Sequence, residues 1–144
     1  MKRLLMFALA AALAYGYLQH QGMSLPVPAG PALSTNAAIG AAYRDRQTHV
    51  QVQGQGAVLR VLADDRDGSP HQRFILEVGS GQTVLVAHNI DLAPRIEGLK
   101  KGDTVEFYGE YEWNSKGGVI HWTHRDPRNR HPAGWLKHAG ATYQ

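Results

Sequence analysis

Apolar and polar side chains alternate through most of the second half of this chain, the period-two pattern of strands with one buried face. The pattern starts beyond His49: Val50 and Val52 alternate with glutamines, Gly54 and Gly56 interrupt, and alternation resumes over residues 58–63. This predicts one long strand bent sharply at its glycines, and a bent first strand helps close a barrel. Residues 64–70, DDRDGSP, carry turn chemistry. The second strand, over residues 71–78, places Phe74, Leu76 and Val78 on one face, and a hairpin at residues 79–82 leads to a third over 83–88. Residues 89–98 are too many for a tight turn and predict a short helix, which Pro94 limits to about one turn. KKGDTVEFYGEYEW supplies the fourth strand, with Val105, Phe107, Tyr111 and Trp113 in phase. Residues 114–117 then turn the chain into a fifth strand over residues 118–124.

That order predicts a mainly β fold: a small five-stranded OB-like Greek-key barrel with a short helix between strands 3 and 4. An SH3-like barrel and an open meander are the rival architectures. A short alanine-rich helix precedes the barrel, capped by Ser34, Thr35 or Asn36 and reaching about Gln47. The inward faces set the registers. Phe74 should oppose Val86 and Leu76 should oppose Val84. In the last hairpin Tyr111 should oppose Ile120, Gly109 should oppose Trp122 and Phe107 should oppose His124. Phe74, Phe107, Tyr111 and Trp122 are expected in the core. With strands 3 and 5 parallel, His71, His88 and His124 emerge at one rim.

The N-terminus predicts that the domain is exported. MKR followed by LLMFALAAALAYGYL is a positive segment and an apolar run, shorter than the roughly 20 residues of a relaxed membrane span. Residues 1–20 are therefore expected to be a signal peptide or an N-terminal membrane anchor. Ala12 and Ala14 offer a cleavage site, while Tyr15, Tyr17 and Leu18 extend the apolar run. The expected location is the periplasm, either unattached or anchored to the inner membrane and facing that compartment. Residues 21–33 hold Pro26, Pro28 and Pro31 and form a Pro/Gly linker. Residues 34–144 are expected to be a single domain with an irregular C-terminal tail. The chain contains no cysteine, so disulfides, thiol catalysis and cysteine-ligated zinc are excluded.

Charge and candidate chemistry both concentrate near the C-terminus, in GGVIHWTHRDPRNRHPAGW at residues 117–135. The formal net charge of +3 favours anionic partners only weakly. Its placement is more telling: Lys116, Arg125, Arg128, Arg130 and Lys137 stand against Asp126 alone over residues 115–138. Arg73, Arg125, Arg128, Arg130 and Trp135 make a candidate ligand surface, because guanidinium groups clamp phosphate or carboxylate and aromatic faces stack on bases or sugars. A solvated tail pinned by Trp135 and Leu136 is the plainer alternative. The histidine rim offers a second chemistry. His71, His88 and His124, with Asp126 and His131 folding back, are suitable ligands for a divalent metal such as zinc, and a bound water would be a nucleophile. Hydrogen bonding to carbonyl groups is the plainer role for these rings. His121 and His124 are three apart and point to opposite strand faces.

These features support a non-enzymatic binding or accessory module for an anionic polymer, nucleic acid or glycan, or for a protein partner. The alternative is a metal-dependent hydrolase of phosphodiester type. Neither GxSxG nor a Walker loop occurs. Any membrane contact would run through a retained N-terminal segment.

HQRFILEV, SGQTVLVAHNIDLAPRI, GDTVEFYGEYEWN, KGGVIHWTHRDP and RHPAGW together make residues 71–144 resemble the domain-of-unknown-function 3465 family of small exported bacterial proteins. The resemblance implies a secreted or anchored protein with a compact β domain. It implies no activity, substrate or catalytic residue. Where that family typically has two histidines before Asp-Pro, this chain has His124 and Arg125.

Overall fold

A computed structural model describes residues 36–79 and 81–144. The chain divides into units Met1–Ala32 and Leu33–Gln144, and all described residues belong to the second. The leader and linker expected over residues 1–33, and the caps Ser34 and Thr35, lie outside the described residues.

One helix and seven strands follow in chain order: α1 (Ala37–Arg44), β1 (Val50–Val61), β2 (His71–Gly79), β3 (Gln82–Asn89), β4 (Thr104–Glu112), β5 (Val119–His121), β6 (Trp135–His138) and β7 (Ala141–Tyr143). β1 is long enough to serve two neighbours. Its first part pairs antiparallel with β4, from Val50 with Tyr111 to Ala57 with Thr104. Its last part pairs with β2, from Ala57 with Glu77 to Val61 with Phe74. The glycines make the change of partner possible: a Cβ on Gly56 would lie 2.5 Å from the Glu77 carbonyl oxygen. β2 continues to β3, β3 to β5, and β5 to β4, so five strands close on themselves in the order β1-β2-β3-β5-β4. The β3–β5 pairing is parallel and the others are antiparallel, which makes a closed mixed barrel.

Alternation drives this closure. Val52, Val58, Phe74, Leu76, Val84, Val86, Val105, Phe107, Tyr111 and Ile120 all turn inward and are buried. The registers of Phe74 with Val86, Leu76 with Val84, and Tyr111 with Ile120 are those the alternation predicts. Helix α1 adds Ile39 and Ala42 to the same core, one turn apart on one face. Asn36 does not cap this helix through its side chain. Its amide instead donates to the carbonyls of Gln55 and Val78, and its oxygen accepts from the Gln55 amide, tying the helix start to β1 and β2. The helix stops at Arg44 rather than near Gln47, and left-handed backbone at Arg46 and His49 turns the chain into β1.

Three expectations are corrected. No helix separates β3 from β4 among the described residues: residues 90–98 run as turns and irregular backbone. Besides Pro94, the reason is Gln72, a buried side chain that donates to the Ile96 carbonyl and accepts from the Ile96 amide. This pair satisfies polar groups that a helix would otherwise have to satisfy. Second, β5 ends at His121, because Trp122 adopts φ 53° and leaves the strand. Thr123, not Trp122, is then fully buried above Gly109, where a Cβ would meet Thr123 Cγ2 at 3.0 Å. Trp122 stays half-buried outside the core, and Phe107 pairs with Leu136 instead of His124. Third, the tail is not irregular throughout. β6 joins β4 and β7 joins β6, with Leu136 fully buried.

Candidate functional site

The inward side of β4 is filled by Val105, Phe107 and Tyr111, so its alternate positions, Glu106, Tyr108, Glu110 and Glu112, face outward. Glu110 lies between two strands, level with Gln51 of β1 and with His121 of β5. The chain enters β1 through His49, one residue before the pairing of Val50 with Tyr111, which brings that ring beside both glutamates. The loop over residues 122–134 returns His131 to the same place. Four separate segments thus deliver three imidazoles and two carboxylates to one patch.

The distances define the patch. His49 Nδ1 stands 2.9 Å from Glu110 Oε1 and 3.7 Å from Glu112 Oε1. His121 Nε2 stands 3.4 Å and 3.5 Å from the same two oxygens. His131 Nε2 is 2.7 Å from the other oxygen of Glu110, Oε2, and its Nδ1 is 3.0 Å from the Pro132 carbonyl, so that ring is held at both nitrogens. Trp122 stacks on His131 with centroids 4.2 Å apart and planes 10° from parallel. His121 Nε2 is buried and, although within 3.5 Å of both carboxylates, makes no hydrogen bond of good geometry among the described residues.

Electrostatics follow from this crowding. Burial alone would push the Glu110 carboxyl up, but hydrogen bonds from His131 and His49 and the neighbouring charges of His121 and His131 bring it below its ordinary value. The hydrogen bond and charge of Glu110 raise His49, with a smaller contribution from Glu112. The site therefore favours the ionised form of the Glu110 carboxyl.

One ligand atom each from His49, Glu110 and Glu112 lies within 4.8 Å of the others, and this is the one such group of three among the described residues. Donors bound at about 2.0–2.2 Å to one ion stand roughly 3 to 3.5 Å apart, close to the 2.9–3.7 Å between these carboxylates and the rings of His49 and His121. Mixed imidazole and carboxylate donors suit zinc and similar first-row divalent ions better than calcium or magnesium, which favour oxygen.

The histidines expected at the rim are used differently. His88 is fully buried, with Nδ1 2.8 Å from Thr123 Oγ1 and Nε2 3.1 Å from the Pro94 carbonyl. Both nitrogens are occupied, and desolvation lowers its pKa to about 4 despite the Pro94 hydrogen bond. His71 Nδ1 faces the Ser69 carbonyl and His124 Nδ1 faces the Arg125 carbonyl. Asp126 accepts from the backbone amides of Arg128 and Arg130, one on each carboxylate oxygen, and those bonds hold its pKa down. Among the described residues His71, His88, His124, Asp126 and His131 do not place three ligand atoms within 4.8 Å of one another. Both nitrogens of His88 and both carboxylate oxygens of Asp126 are hydrogen-bonded, and His131 Nε2 is on Glu110, whereas His71 and His124 line one cleft with only Nδ1 on a carbonyl. A cleft of about 200 Å³ lies between the two histidine sets, lined by His71, Asn89, Trp122 and His124 and sharing His121 with the outer patch.

The basic set also divides. Arg73 is tied to the Ala63 carbonyl through Nε and Nη2. Trp135 packs against Tyr108, and Lys137 lies over its ring at 4.5 Å, so one face of the indole is covered. Arg125, Arg128 and Arg130 are exposed, and none pairs with a carboxylate among the described residues.

His49, Glu110, Glu112 and His121 were absent from the ligands expected from sequence. The register of Tyr111 with Ile120 nevertheless places Glu110 opposite His121, and the EYE alternation puts both glutamates on that outer face. His49 has no comparable signal, because its approach depends on the backbone turn before β1.

A family described as "Protein of unknown function (DUF3465)" matches residues 21–144, and the chain belongs to that family. No curated protein matches the chain.

Proposed function

We propose that this DUF3465 member is a metal-binding module, an OB-like Greek-key barrel holding a zinc-class divalent ion on the outer face of β4 and β5. His49, Glu110 and Glu112 supply the ligands that already lie within reach of one another, and His121 completes the set. The observation that carries this reading is the convergence of these groups from three segments, with nitrogens of two imidazoles each within 3.7 Å of both carboxylates. His131 supports the site from the far oxygen of Glu110, as ligating carboxylates are commonly held by a neighbouring group. The leader-like residues 1–20 support a location outside the cytoplasm, in the periplasm or tethered to the inner membrane.

Elemental analysis and calorimetry on protein purified without an affinity tag test the proposal. One zinc ion per chain is expected, and Glu110→Gln with Glu112→Gln should abolish it. A wild-type protein that takes up no metal after loading with zinc, nickel or manganese would overturn it.

A second reading rests on a separate observation. Arg125, Arg128 and Arg130 extend into solvent from a turn whose one carboxylate, Asp126, is occupied by backbone amides. Such a surface suits an anionic polymer, and binding rather than turnover is the function it supports.

A further inference from the structure

The arginine turn and the glutamate patch meet at one side chain. Between Arg125 and Ala133, His131 alone makes a side-chain hydrogen bond or ion pair to a barrel strand among the described residues, at 2.7 Å from Glu110. The rest of the turn is held internally: Asp126 binds the amides of Arg128 and Arg130, and the Asn129 amide donates to the Asp126 carbonyl. At its end the Gly134 amide donates to the His124 carbonyl. The turn is thus a preformed unit latched to the barrel through His131, with Trp122 stacked on the latch. Trp122 is itself in left-handed backbone, a strain that persists in bulky residues only where surrounding contacts enforce it.

We propose that metal binding at the glutamate patch tightens this latch and thereby strengthens a binding surface for the phosphodiester backbone of nucleic acid. The inference rests on the metal-binding reading above. An ion held by Glu110 Oε1 would fix the carboxylate whose Oε2 faces His131, and so fix the turn that carries Arg125, Arg128 and Arg130. The ion acts a second way through charge. Glu110 and Glu112 carry two negative charges close to the turn, and a divalent cation cancels them. The surface then presents three guanidinium groups without an opposing carboxylate field. Guanidinium forks match phosphate oxygens in pairs, and arginines held in place lose less freedom when they bind. One face of the Trp135 indole is covered, so phosphate contacts rather than base stacking would dominate, with little sequence preference.

The test is fluorescence anisotropy of a labelled oligothymidylate with the full chain, stripped by chelation or saturated with zinc, alongside calorimetry of zinc binding. Zinc should tighten oligonucleotide binding by about fivefold or more, and by linkage the oligonucleotide should tighten zinc binding by the same factor. Arg125→Ala with Arg128→Ala should weaken binding in both states and flatten its salt dependence. His131→Ala at saturating zinc should bind the oligonucleotide no better than its zinc-free form. Zinc uptake with unchanged oligonucleotide affinity overturns this inference alone, whereas failure to take up zinc overturns the metal reading beneath it. An intact zinc effect in His131→Ala would refute the latch. Undiminished binding in the double arginine variant would refute the surface. Tighter binding to heparin than to the oligonucleotide would refute nucleic acid as the partner.

Discussion

Two sets of three histidines lie within the same barrel and have opposite surroundings. His71, His88 and His124 each direct Nδ1 to a carbonyl or hydroxyl oxygen, and His88 has a second such bond at Nε2. His49, His121 and His131 gather instead on the carboxylates of Glu110 and Glu112. A hydrogen bond to a carbonyl or hydroxyl oxygen orients the ring, and at His88 both nitrogens are taken in this way. Two convergent carboxylates concentrate negative charge and leave room for a cation. In the first set His88 ties β3 to Thr123 and to the loop at Pro94, while His71 and His124 make local contacts; the second set offers a site. Residue type is the same in both, and the partner oxygens decide the role.

The largest expected separation between the sets is in metal affinity. Replacing Glu110 and Glu112 by glutamine should lower zinc affinity by more than about 100-fold, while the midpoint of thermal unfolding of the metal-free protein falls only modestly, because glutamine keeps an acceptor oxygen for His49 and His131. Calorimetry and differential scanning measure the two quantities on the same samples. His88→Ala should do the reverse. It removes a fully buried ring and leaves Thr123 Oγ1 and the Pro94 carbonyl unpaired, a loss of about 2–4 kcal/mol in urea unfolding. Zinc stoichiometry should be retained. A His88→Ala protein that folds with full stability but binds no zinc would invert the comparison.

Acid gives a third separation. The unfolded His88 ring takes up a proton near pH 6.5, whereas the buried ring resists protonation until about pH 4. Between those values unfolding consumes a proton, so the His88 contribution is full above pH 6.5 and declines as pH falls, by up to about 3 kcal/mol. Urea unfolding across that window should show the slope in wild type, and His88→Ala should flatten it. The smallest effect is expected for Thr123→Val, which removes the hydroxyl facing His88 while keeping shape. A loss of about 1 kcal/mol with unchanged zinc binding would sharpen the assignment of this bond to stability.

The barrel was legible in sequence because alternation is periodic and register follows from it. Phe74, Val86, Tyr111 and Ile120 announce their partners by inward phase alone. The misreadings arise where a single backbone torsion breaks phase. Trp122 leaves the strand in left-handed backbone, so Thr123 takes the inward place expected for the indole, and His124 falls out of register with Phe107. The expected helix before β4 failed for a different reason. Gln72, distant in sequence, supplies the hydrogen bonds that a local pattern would assign to a helix. Half of the outer patch was equally legible, since the register of Tyr111 with Ile120 implies Glu110 opposite His121. The other half required tertiary knowledge, because His49 and His131 arrive from irregular segments that no periodicity describes.

Anomalous diffraction at the zinc edge from crystals of zinc-loaded protein tests the assignment most directly. One peak within ligand distance of His49, Glu110 and Glu112 is expected, with His121 turned toward it. A peak among His71, His88 and His124, or no ordered peak in zinc-loaded crystals, would contradict the division of the histidines into a structural and a metal-binding set.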